Sequence, residues 1–206
     1  MFYRSNFVLS NKAQADIIDY YKEIWSNHFP HRLETLPISW YHKNLGKEIL
    51  AFLNSYNLFP YYTGLTVFLS NVETETITNP HVDVLHKNTK LLPIKSRFNI
   101  LCLGESGSMI WWKTMKWGQK DLVLKTFKTY TNIEYESYAI PGDGLQDRLE
   151  YLGDPHLIEN DILTPCSFVC TEYAHALKLN SGPRIVVSVG FDLPFENIKE
   201  RTNVYV

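Results

Sequence analysis

No stretch of the 206 residues approaches the roughly 18–20 consecutive apolar positions needed to span a bilayer. The first ten residues also lack the charged start, apolar middle and small-residue cleavage site of a secretory signal. Cysteine is scarce. Cys102, Cys166 and Cys170 are too few and too unevenly spaced for a disulfide framework, and Cys166 and Cys170 have no second pair to complete a zinc ribbon. Charge of one sign is missing too. The 20 Lys and Arg are balanced by 22 Asp and Glu, for a net charge of -2. Nucleic-acid binding would need a basic surplus, and basic residues do not interleave with the aromatic ones. There is no internal repeat, low-complexity tract or linker. These absences lead us to expect a cytoplasmic protein with neither membrane nor nucleic acid as partner, folded as a single domain over residues 1–206.

Hydrophobic residues make up 45% of the chain and aromatics 14%, ample for a core at this length. Residues 11–25 read as a helix, with Asn11 as N-cap and Ile17, Ile18, Tyr21 and Ile24 at helical spacing. A second helix is expected over 45–56, with a Pro- and His-containing loop at 29–40 between the two. From residue 61 the pattern becomes short β-type runs separated by turns. These are 65–72, 76–84, 98–103, 109–112, 123–130, 133–138, 162–179 and 184–191, with a strong turn signal in Ile140-Pro-Gly-Asp-Gly144. Residues 114–161 are the hardest to read. The fold class expected is mainly β, a sandwich or jelly roll. Its helical part lies at about 1–58 and packs on one outer sheet face, and its β core lies at about 61–192.

Three features carry chemistry. In Asn79-Pro-His81-Val-Asp83, the period of a strand puts His81 and Asp83 on one face, an imidazole and a carboxylate side by side. His175 shares its strand parity with Tyr173, Leu177 and Leu179, an apolar face. Arg184 opens the almost wholly apolar run Arg-Ile-Val-Val-Ser-Val-Gly-Phe191. Arg184, Val186, Ser188 and Gly190 fall on one face of it, and Ile185, Val187, Val189 and Phe191 on the other. A guanidinium buried there requires an anion. Each feature alone has an ordinary reading: a surface loop, a hydrogen-bonded core histidine, an ion-paired strand end. Taken together, two His and one carboxylate fill one face of an octahedral metal and leave three positions open.

The ordered set His81, Asp83, His175 and Arg184 resembles the Fe(II)- and 2-oxoglutarate-dependent dioxygenase superfamily, over roughly residues 61–191. That resemblance implies a double-stranded β-helix (jelly-roll, cupin-like) fold. It implies Fe(II) on His81, Asp83 and His175, with Arg184 on the distal carboxylate of 2-oxoglutarate and Ser188 assisting. It also implies O2 as co-reactant and C–H hydroxylation as the outcome. The run Arg97-Phe-Asn99-Ile-Leu-Cys-Leu103, followed by Trp111 and Trp112, is similar to the aspartyl/asparaginyl β-hydroxylase and prolyl cis-hydroxylase branch. In that branch an Arg-x-His pair helps to hold the cosubstrate. Here Arg97 and Asn99 occupy those places, with Asn99 standing where His is usual. Val186 stands where many members have Ser. The branch implies an amino acid, or a residue of a peptide or protein, as substrate, chosen by loops within 73–79, 87–96 and 114–161. Two alternatives stay open: a cupin-type metalloenzyme that uses no 2-oxoglutarate, and a non-catalytic jelly-roll binding module.

Overall fold

The computed structural model describes residues 1–25, 33–37, 43–60, 62–68, 76–87, 90–104, 107–128, 134–153, 156–157, 166–179 and 184–202. In chain order the elements are β1 (Phe2–Arg4), α1 (Asn11–Trp25), β2 (Leu33–Pro37), α2 (Lys43–Ser55), β3 (Tyr62–Phe68), β4 (Thr76–Ile77), β5 (Val84–Lys87), β6 (Lys90–Pro93), β7 (Ser96–Leu103), β8 (Ser108–Lys116), β9 (Val123–Lys128), β10 (Glu134–Ala139), α3 (Leu145–Leu152), β11 (His156–Leu157), β12 (Cys166–Cys170), β13 (Tyr173–Leu179), β14 (Arg184–Phe191) and α4 (Phe195–Thr202). The protein is mainly β, and every strand pairing among the described residues is antiparallel. A six-stranded sheet has the order β1-β12-β7-β14-β3-β2, and a four-stranded sheet the order β11-β8-β13-β4. Two hairpins, β9-β10 and β5-β6, complete the strands. Among the described residues, no helix is long and apolar enough to cross a membrane.

The helices cover the outer face of the large sheet. Helix α1 turns Ala13 and Ile17 inward, and α2 turns Leu45, Ile49 and Leu53 inward, the i, i+4 spacing of one helix face. Both meet Phe98, Ile100 and Cys102 of β7 and Ile185, Val187, Val189 and Phe191 of β14, joined by Phe195 and Ile198 of α4. The helix expected at 11–25 forms with those bounds, but its cap is Ser10 and not Asn11. Ser10 Oγ accepts the Ala13 N–H at 3.2 Å and donates to Glu48 of α2 at 2.5 Å. A serine hydroxyl can cap one helix and tie it to the next at once, which a residue already inside the first turn cannot do.

The loop expected at 29–40 contains strand β2, which pairs with the edge of β3. Its Pro37 sits at the strand end, where a missing N–H does least harm. The run expected at 162–179 is two strands, β12 and β13, in different sheets. Residues 162–165 of that run, the turn at 180–183 and the C-terminal part of the run at 65–72 lie outside the described residues. Helices α3 and α4 were not expected from the sequence. On the far side of the small sheet, Ile110, Trp112, Ala174 and Ala176 form a second apolar cluster with Leu152 of α3. The two sheets meet at a third, small cluster of Met109, Trp111 and Val169. There Trp111 Nε1 donates to the Cys170 carbonyl at 2.8 Å, which satisfies the one polar group of a fully buried ring. The rest of the pocket between the sheets is lined by polar side chains together with Val186 and Leu177.

Candidate metal centre

His81 and His175 face each other across a two-residue antiparallel bridge. His81 N–H donates to the His175 carbonyl at 3.0 Å and His175 N–H to the His81 carbonyl at 2.9 Å. Such a directly opposed pair projects both side chains to the same face. The ring centroids lie 4.6 Å apart. Val82 turns the other way into the outer cluster of the small sheet, so Asp83 returns to the face of His81, as strand period requires. The ligand atoms of His81, Asp83 and His175 all lie within 4.8 Å of one another.

The protonation of this group is set by the backbone. His81 Nδ1 meets the Asn79 carbonyl at 2.7 Å, and His175 Nδ1 meets the Tyr173 carbonyl at 2.9 Å. A carbonyl only accepts, so each Nδ1 carries the hydrogen and each neutral ring presents a bare Nε2. Those Nε2 atoms face Asp83, at 3.5 Å from Oδ1 for His81 and 3.7 Å from Oδ2 for His175. Two lone pairs pointed at a carboxylate repel it unless a cation stands among them. Burial lowers the His175 pKa to about 4, against the pull of Asp83, whereas for His81 the pull of Asp83 outweighs burial and raises the pKa, so without a metal any proton among these lone pairs sits on His81. Burial would raise the Asp83 pKa, but the Arg97 guanidinium, helped by the two imidazoles, holds it well below the usual carboxylate range. Two imidazoles, His81 giving up any proton to a competing metal, and one ionised carboxylate form a donor set that fits a divalent first-row metal.

The large sheet faces this group from the other side. In β7, burial alternates, with Phe98, Ile100 and Cys102 under the helices and Arg97, Asn99 and Leu101 turned between the sheets. In β14, Arg184, Val186 and Ser188 face inward while Ile185, Val187 and Val189 lie under the helices, the division read from the sequence. A pocket of about 120 Å³ joins the two sides. His81, Asp83, His175, Arg97, Asn99, Ser188 and Arg184 all line it, with Met109, Val169 and Leu177 among its apolar walls. The structure therefore brings together all seven residues singled out in the sequence. Arg97 donates through Nε to Asp83 and through an NH1 hydrogen to Ser188 Oγ at 2.9 Å. Ser188 donates to Asn99 Oδ1 at 2.8 Å.

Arg184 is different. It is 4% exposed, its Nε has no hydrogen-bond partner, and no acid pairs with it among the described residues. Burial alone pushes its pKa down to about 10. Sequence reasoning missed the apolar wall formed by Met109 and Val169. Neither belongs to a polar motif, and only the facing of the sheets brings them to the site. A larger cavity of about 280 Å³ at Trp117 and Tyr138 shares no lining residue with this pocket and holds no metal-ligating group. No family model matches the chain, and no curated protein matches it.

Proposed function

We propose that the protein is an Fe(II)- and 2-oxoglutarate-dependent oxygenase that hydroxylates a C–H bond of an amino acid, free or within a peptide or protein. The observation that carries this reading is one pocket with two complementary ends. One end is a His-Asp-His donor set and the other a buried guanidinium with no acidic partner among the described residues. Two facing antiparallel sheets, with helices packed on the larger, support the double-stranded β-helix reading.

In this reading His81, Asp83 and His175 hold the iron through two Nε2 atoms and one carboxylate. Arg184 supplies the counter-charge for the distal carboxylate of 2-oxoglutarate, with a donor, Nε, that is otherwise buried without a partner. Met109, Val169 and Leu177 line the same pocket and lower its polarity, which strengthens charge contacts within it. When bound, iron and 2-oxoglutarate together supply the oxidising power for hydroxylation by O2, with succinate and carbon dioxide released. The protein's own part is to orient the cosubstrate by charge at one end and by coordination at the other.

The test is an anaerobic titration of the metal-free protein with Fe(II) and then 2-oxoglutarate, followed in the visible region. A charge-transfer band that is absent in Asp83→Ala and Arg184→Leu supports the reading. Iron binding without a band favours a metalloenzyme that does not use 2-oxoglutarate. Failure to bind iron favours a binding module.

A further inference from the structure

Arg97 stands between the donor set and the large sheet. A guanidinium only donates and a carboxylate only accepts, so the chain from Arg97 has a fixed direction. Nε–H goes to Asp83 Oδ2, NH1–H goes to Ser188 Oγ, and Ser188 O–H goes on to Asn99 Oδ1. Ser188 and Asn99 are directly opposed on neighbouring strands β14 and β7, in the middle of the large sheet. That end of the chain is anchored in a place where the backbone has little freedom. At the other end both oxygens of Asp83 face the imidazoles, Oδ1 at 3.5 Å from His81 Nε2 and Oδ2 at 3.7 Å from His175 Nε2, but Oδ2 alone also accepts from Arg97.

Resting on the metal-site reading above, we infer that Arg97 is a positioning residue for Asp83. It engages Oδ2 so that Asp83 offers a divalent cation the single oxygen Oδ1, and it is itself held by Ser188 and Asn99. This replaces the cosubstrate contact that the family resemblance implies for Arg97 and Asn99, and leaves Arg184 as the principal anchor of the cosubstrate. A carboxylate free to bind through both oxygens would occupy one more coordination position. The clamp keeps that position open.

The experiment is a Co(II) titration of the metal-free protein without 2-oxoglutarate, using wild type, Arg97→Met, Arg97→Lys and Ser188→Ala. Charge and orientation predict opposite signs. Removing a cation beside a divalent metal would by charge alone tighten binding. Loss of orientation instead weakens it, by about 10- to 100-fold for Arg97→Met, the usual consequence of deleting a group that orients a metal ligand. Arg97→Lys keeps the charge but loses the two-pronged donor, and falls between. Ser188→Ala, which removes one hydrogen bond on Arg97, weakens binding about five-fold. The Co(II) d–d spectrum of Arg97→Met shifts as the carboxylate's binding mode changes.

Folded Arg97→Met that binds Co(II) as tightly as wild type, with the same spectrum, overturns the proposal and leaves the metal site standing. If that variant does not fold, Arg97→Lys and Ser188→Ala decide by the same criteria. A wild-type protein that binds no Co(II) removes the metal-site reading itself.

Discussion

Exchanging Arg184 for Met should change stability and ligand response in opposite directions. Arg184 is 4% exposed and lacks a partner for Nε, so the folded protein without ligand carries a cation stripped of water and given little in return. Its pKa falls from 12.5 to about 10 on burial, equivalent to about 3 kcal/mol of unfavourable free energy in the charged form. The sign follows from linkage. The unfolded chain holds the proton more tightly than the fold does, so the destabilisation is fully present at neutral pH and is relieved only above about pH 10. Met is apolar and of similar length, and needs no donor satisfied. For a chain of this size, about 3 kcal/mol raises the melting temperature by about 6–12 °C.

The assay is differential scanning calorimetry of the metal-free protein, repeated with Mn(II) and saturating 2-oxoglutarate. Measured against Mn(II) alone, 2-oxoglutarate at about a hundred times its Kd adds about 2.7 kcal/mol to wild type and nothing to the variant. A variant that melts at or below wild type without ligand, and still gains from 2-oxoglutarate, would refute both the uncompensated charge and its purpose.

Asp83→Ala deletes a metal donor and leaves Arg97, 14% exposed, without its carboxylate. Calorimetric titration should show Co(II) binding lost, and urea denaturation a loss of about 3 kcal/mol, as when one partner of a buried pair is removed. The metal-free protein should lose stability on acidification from about pH 6.5 to about pH 4. Burial has lowered the His175 pKa to about 4, so within that window the unfolded chain binds more protons than the folded one. His81, whose pKa is raised by Asp83 against the effect of burial, acts above that window and in the opposite sense. A melting temperature flat between pH 6.5 and 4.5 would contradict the assignment. Gly142→Ala should lower stability in chemical denaturation by about 2 kcal/mol. Gly142 has φ +115°, and an added Cβ would come within 2.9 Å of the Asp147 Cβ.

Where the candidate site depends on strand period, its arrangement was legible. His81-Val82-Asp83 and Arg184 to Phe191 each divide cleanly between a polar face and an apolar face, because alternation is local and a strand shows it in a few residues. The first helix was legible for the same reason, with three turns of apolar spacing before Trp25. Arg97 was only half legible. Its inward face follows from the alternation in β7, but its partner Asp83 comes from another part of the chain, and no local pattern announces a contact between them. Strand β2 was hidden in a stretch rich in Pro and His whose pairing is with β3. Helices α3 and α4 are eight residues each, about two turns, too short for a period of 3.6 to stand out. Both are held by tertiary contacts. Leu152 of α3 packs on Trp112 of β8, whose Nε1 donates to the Gly153 carbonyl just beyond the helix at 3.2 Å, and Tyr3 and Thr202 share a hydrogen bond at the end of α4.

The two large apolar clusters lie on the outer faces of the sheets, under the helices and not between them. In an ordinary sandwich the space between sheets is the dry core, and a change there is felt by the whole fold. Here that space holds charged and polar side chains around a pocket, while the apolar clusters are gathered at two margins that contribute none of its lining. Substitutions should therefore sort into two populations. Those beneath α1, α2 and α4 should alter melting behaviour with little effect on the pocket. Those at Val186, Met109 or Leu177 should alter what the pocket accepts while the fold persists. A chain built this way can change its chemistry in evolution, or at a designer's hand, without first being made more stable.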